Sequence, residues 1–188
     1  MSRREFLPYL VGAVVIFAVG IVAGYGVSAS GDPAADQILD AIMGGVFSQI
    51  LGDNPLMLAV KIFLNNLQAC VLLFLGGATF GLLTFFILFS NGLVIGLFAD
   101  QIAEKVGPLG LIAGLVPHGV FELPAIFIAA ALGLALARSV LADARGQGDA
   151  AADAARLGGL FLRVVVPLLA VAAVIEAFIT PALLQIVV

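Results

Sequence analysis

From residue 56 to residue 99 the chain runs 44 positions with one ionisable side chain, Lys61. A water-soluble domain carries about 25% charged residues, and roughly 20 apolar residues already cross ~30 Å of hydrocarbon. The run is too long for one crossing and right for two. Gly76 and Gly77 mark the break, which predicts helices over 56–75 and 78–98 joined by a tight hairpin.

The rest of the chain has the same character: 63% of residues are hydrophobic, 11% are charged, and the mean hydropathy is +1.23. Further spans are predicted over 7–27, 117–137 and 162–184. The basic start "MSRREF" resembles the head of a secretory signal, and "SAS" at Ser28–Ser30 could pass for a cleavage site. The apolar run after that start is longer than a signal's apolar core, so it is read as a span. "DQIAEKVGP", residues 100–108, reads as a short polar loop. Residues 109–116 are apolar enough to dip into the membrane before a corner at Pro117. Residues 138–159 read as a solvated loop or surface helix.

Between the loop signals Gly31-Asp32-Pro33 and Gly52-Asp53-Asn54-Pro55, Ile38, Ile42, Val46 and Ile50 recur every four residues, while Asp36, Asp40 and Gln49 take the other side. This is an amphipathic pattern, too short and too charged to cross. The expected fold is therefore an all-α polytopic membrane bundle. It has about five transmembrane helices and one interfacial amphipathic helix, in a single transmembrane domain over residues 1–188.

Charge sets the expected orientation. All six arginines (Arg3, Arg4, Arg138, Arg145, Arg156 and Arg163) fall on one side of a five-span arrangement, and Lys61 and Lys105 fall on the other. By the positive-inside rule the N-terminus is cytoplasmic and the C-terminus outside, in a multi-pass protein of the cell membrane. The lone Cys70 lies in an apolar segment and reads as a packing residue. No phosphate loop, zinc finger or basic patch is present, so the bilayer is the expected partner and nucleic acid is not. Pairs of small residues four apart (Gly20/Gly24, Gly77/Gly81, Gly92/Gly96 and Gly110/Gly114) permit close helix approach, though each is a weak signal in a chain with 22 glycines.

Few strongly polar residues fall inside the spans: Asn65, Asn66, Gln68, Asn91, His118, Glu122 and Glu176. At ~1.5 Å per residue, four helices place such groups at a similar depth in the outer half of the bilayer. His118, the only histidine, stands one turn from Glu122 on the same face. A carboxylate facing lipid costs several kcal/mol, so the cluster is expected to face the bundle interior or a subunit interface, with Asn65 or Asn91 in hydrogen-bond reach. Pro117, Pro124, Pro167 and Pro181 are expected to kink the helices and free carbonyls at this level.

Three readings of the cluster stand open. The plainest is an interhelical hydrogen-bond network. The second is a ligand, ion or proton site. The third is a catalytic metal held by one imidazole and two carboxylates. The spacing H-x-x-x-E is not a zinc-protease motif and no second histidine exists, so neither a metal, a cofactor nor a catalytic residue is expected. Nor is any serine or cysteine paired with a base in a spacing suited to nucleophilic catalysis.

Four blocks taken together, "NPLMLAVKIFLNNLQA", "GGATFGLLTFFILFSNGLVIG", "PHGVFELPA" and "AAVIEAFITP", resemble the stage II sporulation protein M family of integral membrane proteins. They occur in the family's order and cover nearly the whole chain. The resemblance implies a bundle of roughly five spans. It further implies a non-enzymatic scaffold or complex subunit, since the family's namesake anchors cell-wall-degrading partners during engulfment. A homo-oligomer with membrane or cell-envelope protein partners is the expectation that follows. The alternative is a small transporter or channel using the His/Glu cluster. Asn65, Asn66, Asn91, His118, Glu122 and Glu176 are the residues on which motif and depth agree.

Overall fold

The computed structural model describes residues 3–30 and 54–187, all of whose regular structure is helical. The predicted amphipathic segment between 31 and 53 lies outside the described residues. Helix α1 is Arg3–Ala29. Helix α2, Pro55–Leu75, starts from an Asn54 cap whose side chain accepts from the Met57 amide, with Pro55 in the first turn where its missing N–H costs nothing.

The chain then reverses through a 3-10 turn, Gly76–Thr79, and two left-handed residues, Phe80 (φ 57°) and Gly81 (φ 84°). The hairpin stands where the two glycines placed it, but they serve it differently than expected. Gly76 keeps a right-handed backbone, and the positive φ falls on Phe80 and Gly81. Gly76 and Gly77 are needed for contact instead. A Cβ on Gly76 would lie 2.6 Å from the Thr84 nitrogen, and one on Gly77 would lie 2.2 Å from the Gly133 oxygen.

Helix α3, Leu82–Asp143, consists of two arms that meet at Gly107, whose φ of 74° and ψ of 170° leave helical geometry. This corrects one expectation: residues 100–106 continue the first arm as helix instead of forming a loop. Residues 109–116 are helical as well. The break needs a residue at home at positive φ, and Pro108 then suits the first turn of the next arm. Gly107-Pro108, and not Pro117, was therefore the start signal. Within the second arm the apolar crossing itself runs Val116–Asp143, close to the predicted span.

Helix α4, Ala150–Leu160, is capped by Asp149, whose side chain accepts from the Ala152 amide. It runs on through a π turn, Phe161–Val165, into α5, Val166–Val174. A second π turn, Ile175–Ile179, leads into α6, Thr180–Val187. Each π turn stands directly ahead of a proline pair, Val166-Pro167 and Thr180-Pro181. The Val166 and Thr180 amides donate to the Phe161 and Ile175 carbonyls, five residues back. A proline offers no amide to the next carbonyl in line, so the widened turn is where the ladder yields. Pro117 and Pro124, by contrast, sit in the second arm without leaving helical geometry.

Among the described residues four helices are long and apolar enough to cross a membrane: Arg4–Ala29, Pro55–Thr79, Val116–Asp143 and Ala150–Leu183. Leu82–Phe98 is a shorter apolar stretch whose helix continues to the Gly107 break. The second arm of α3 is the central post: 56% of its apolar window is buried, against 17% for α1 and α2. Ala125, Ala129, Ala130 and Leu132 pack there against Cys70 and Leu73 of α2 and against Phe161, Val165 and Leu169. Phe17 meets Phe127 edge-on at 5.1 Å between ring centres, and Phe74 stacks on Phe161 at 5.7 Å.

The first arm of α3 lies along α1. Gly20 and Gly24 press on the Phe89 and Leu93 carbonyls, and Gly92 and Gly96 press on those of Phe17 and Ile21. Contacts rise together along both helices, so the two run parallel. Two of the small-residue pairs read from the sequence are thus each other's partner. Where lipid tails are as apolar as side chains, such backbone contact is the main source of helix attraction.

Candidate functional site

His118 and Glu122 come from one face of the second arm of α3, one helical turn apart. Glu176 comes from the second π turn, 54 positions further along the chain. The fold brings the three together: one side-chain ligand atom from each lies within 4.8 Å of the others. All three residues are half-buried. His118 Nε2 and Glu122 Oε2 are 4.0 Å apart, an ion pair when the ring is protonated but too long for a hydrogen bond. His118 Nδ1 is buried and has no hydrogen-bond partner among the described residues. Such orphaned groups are rare in folded proteins, because desolvation without a partner costs ~1–3 kcal/mol.

The two local causes of this arrangement are visible in the chain. The four-residue spacing puts the imidazole and the first carboxylate on one face. The π turn inserts an extra residue into its helix and so re-aims Glu176, a device frequent at functional sites.

The asparagines do not join the trio. Asn65 is exposed on α2 and reaches only Asn66 Oδ1, at 3.5 Å. Asn91 donates to the Ile87 carbonyl of its own helix at 2.8 Å. The expectation that one of them would lie in hydrogen-bond reach of His118, Glu122 or Glu176 is therefore not met. An amide side chain finds an acceptor one turn back at no cost in helix geometry, and that local bond wins.

A second polar region, which the sequence did not single out, lies at the opposite end of the second arm. Arg138 stands twenty residues beyond His118 on the same arm, roughly 30 Å or one hydrocarbon thickness away. Its guanidinium donates to the Tyr9 hydroxyl at 3.2 Å. The Ser139 hydroxyl and Arg156 each donate to Asp153, both at 2.7 Å. These groups, with Glu5, line a pocket of about 400 Å³, well away from the trio. Asp153 and Arg156, three apart on α4, were the available signal, but Tyr9 and Ser139 come from elsewhere in the chain. At 34 residues the helix Ala150–Leu183 is longer than a bilayer needs, and Asp153, Arg156 and Arg163 fall in its first half, the first two on α4. There the Ser139 hydrogen bond, followed by Arg156, holds the Asp153 carboxyl below its ordinary range.

The family model "Stage II sporulation protein M" matches residues 13–181. The chain belongs to this family. As a stage II sporulation protein M family member it is similar to "Uncharacterized protein MJ0793" of Methanocaldococcus jannaschii, with 36% identity over 125 residues. That stretch covers 64% of this chain and 70% of the relative. No solved structure matches. The matched span contains the trio, the hairpin glycines and both π turns of this family member, so its polar site lies within the family's own domain.

Proposed function

We propose that the protein is a non-enzymatic membrane anchor, a scaffold or complex subunit that works as a homo-oligomer with cell-envelope protein partners. The supporting observation is the backbone-level lock between α1 and α3. Would-be Cβ atoms on Gly20, Gly24, Gly92 and Gly96 fall 2.1–2.4 Å from facing carbonyl oxygens. Transporters work by rocking one part of the bundle against another. Helices seated on each other's carbonyls have no slack for such sliding, whereas an anchor needs none.

In this reading the N-terminus is cytoplasmic and the C-terminus outside. The Tyr9–Arg138 contact supports it by bringing the start of α1 to the end of the bundle that holds Arg138 and Arg156.

The trio favours a second reading, a small transporter or channel with an intramembrane ion or proton site. Purified protein in liposomes separates the two. Under imposed proton, sodium and divalent-cation gradients the anchor gives no flux above empty vesicles. Flux that Glu122→Gln abolishes would overturn the anchor reading.

A further inference from the structure

We propose that His118, Glu122 and Glu176 bind one divalent transition-metal ion, which staples the second arm of α3 to the π turn at Ile175–Ile179.

Geometry comes first. Three atoms no more than 4.8 Å apart share a point at most 4.8 Å/√3, about 2.8 Å, from each. Zinc bonds to imidazole nitrogen and carboxylate oxygen are ~2.0–2.2 Å long. Each donor therefore closes by about 0.7 Å at most, a side-chain adjustment that needs no backbone movement. Direct contact within the trio does not use the space, because the His118–Glu122 approach stops at 4.0 Å.

Charge comes second. A protonated His118 offsets one carboxylate of two, so the other must take up a proton or meet a further cation. A divalent cation with a neutral imidazole and two carboxylates gives a neutral unit.

The His118 nitrogen nearest Glu122 is Nε2, which is therefore the ligand to an ion shared with the carboxylates. One imidazole with two carboxylates suits zinc, manganese, iron or cobalt over magnesium or calcium, which prefer oxygen alone. Three protein ligands leave a position open for water. The site stands on its own geometry, whether the bundle is an anchor or a transporter.

The test uses the full chain in detergent, stripped with a chelator and then dialysed against zinc or cobalt chloride. Elemental analysis is expected to find about one ion per chain. Cobalt loading is expected to give the ligand-field absorption of a low-coordinate nitrogen–oxygen site, and zinc to raise the melting midpoint. Glu176→Gln and His118→Gln should each lower affinity at least tenfold and remove the zinc-dependent rise. Occupancy below about a tenth of an ion per chain overturns the proposal, as does equal uptake by well-folded variants. If a variant does not fold, wild-type stoichiometry and the shift between chelated and loaded protein still decide.

Discussion

The Thr84 hydroxyl donates a 2.8 Å hydrogen bond to the Leu73 carbonyl, from one side of the α2–α3 hairpin to the other. Both residues are fully buried, and Gly133 of the second arm packs on the same carbonyl. One oxygen thus joins three helical segments. Thr84→Val keeps the shape and removes the donor, and is expected to destabilise by about 1 kcal/mol. Thr84→Ser keeps the donor and should lose less. Unfolding in mixed micelles reads both; equal stability of Thr84→Val and wild type would rule out the bond as a stabilising contact.

Alanine at Gly24 or Gly96 would set a methyl 2.1 Å from the facing Leu93 or Ile21 oxygen. Backbone cannot give way as a flexible side chain can, so α1 must separate from α3 at a cost of roughly 1–3 kcal/mol. Gly26 is on the same helix with nothing within 4 Å of a would-be Cβ. Gly26→Ala is expected to be neutral or to gain up to ~1 kcal/mol from helix propensity. A melting series of the three variants checks the contrast, and similar losses at Gly24 and Gly26 would contradict the packing.

Single cysteines at Gln147 and Gln101 test the orientation. Gln147 is exposed beside the arginine-rich pocket. Native Cys70 is fully buried and should stay silent. An impermeant maleimide added to intact cells should label position 101 and spare position 147 until the membrane is opened. Labelling of both from outside would refute the five-crossing topology.

Asp153 makes the arginine-rich end sensitive to acid. Its folded carboxyl lies below the ordinary value, held there by the Ser139 hydroxyl and then Arg156. A depressed carboxylate contributes stability that is full above the unfolded pKa, about 3.9, and is lost as pH falls through the folded value. The difference in melting midpoint between wild type and Asp153→Asn should therefore be constant near pH 6 and shrink below about pH 4. Ser139→Ala should make that loss smaller and complete it at a higher pH, its onset staying near the unfolded value. A difference that does not change with pH would remove Asp153 from the account.

Much of the fold was legible because hydrocarbon is a demanding solvent. Span positions, the Gly76–Gly77 hairpin and the proline pairs near the C-terminus follow from local rules about length, backbone freedom and missing amides. Residues 100–106 misled because their polarity suggested a loop, whereas helical hydrogen bonds satisfy the backbone regardless of side-chain charge. The helix breaks at Gly107, where a positive φ meets no side-chain penalty.

The candidate site divides in the same way. The sequence by itself placed His118 and Glu122 on one face, since helical spacing is a local property. It also marked Glu176 as too costly to face lipid. What it could not determine was which groups would meet. Asn65 and Asn91 carry the same polarity signal, yet one faces out and the other turns to its own helix, while Glu176 is brought to the trio by a π turn. Tyr9 and Arg138, 129 positions apart, meet only because α1 packs on α3. A single chain's hydropathy records the cost of leaving each polar group alone in lipid, but the partner that removes that cost depends on helix rotation and crossing, which the glycine contacts set in three dimensions.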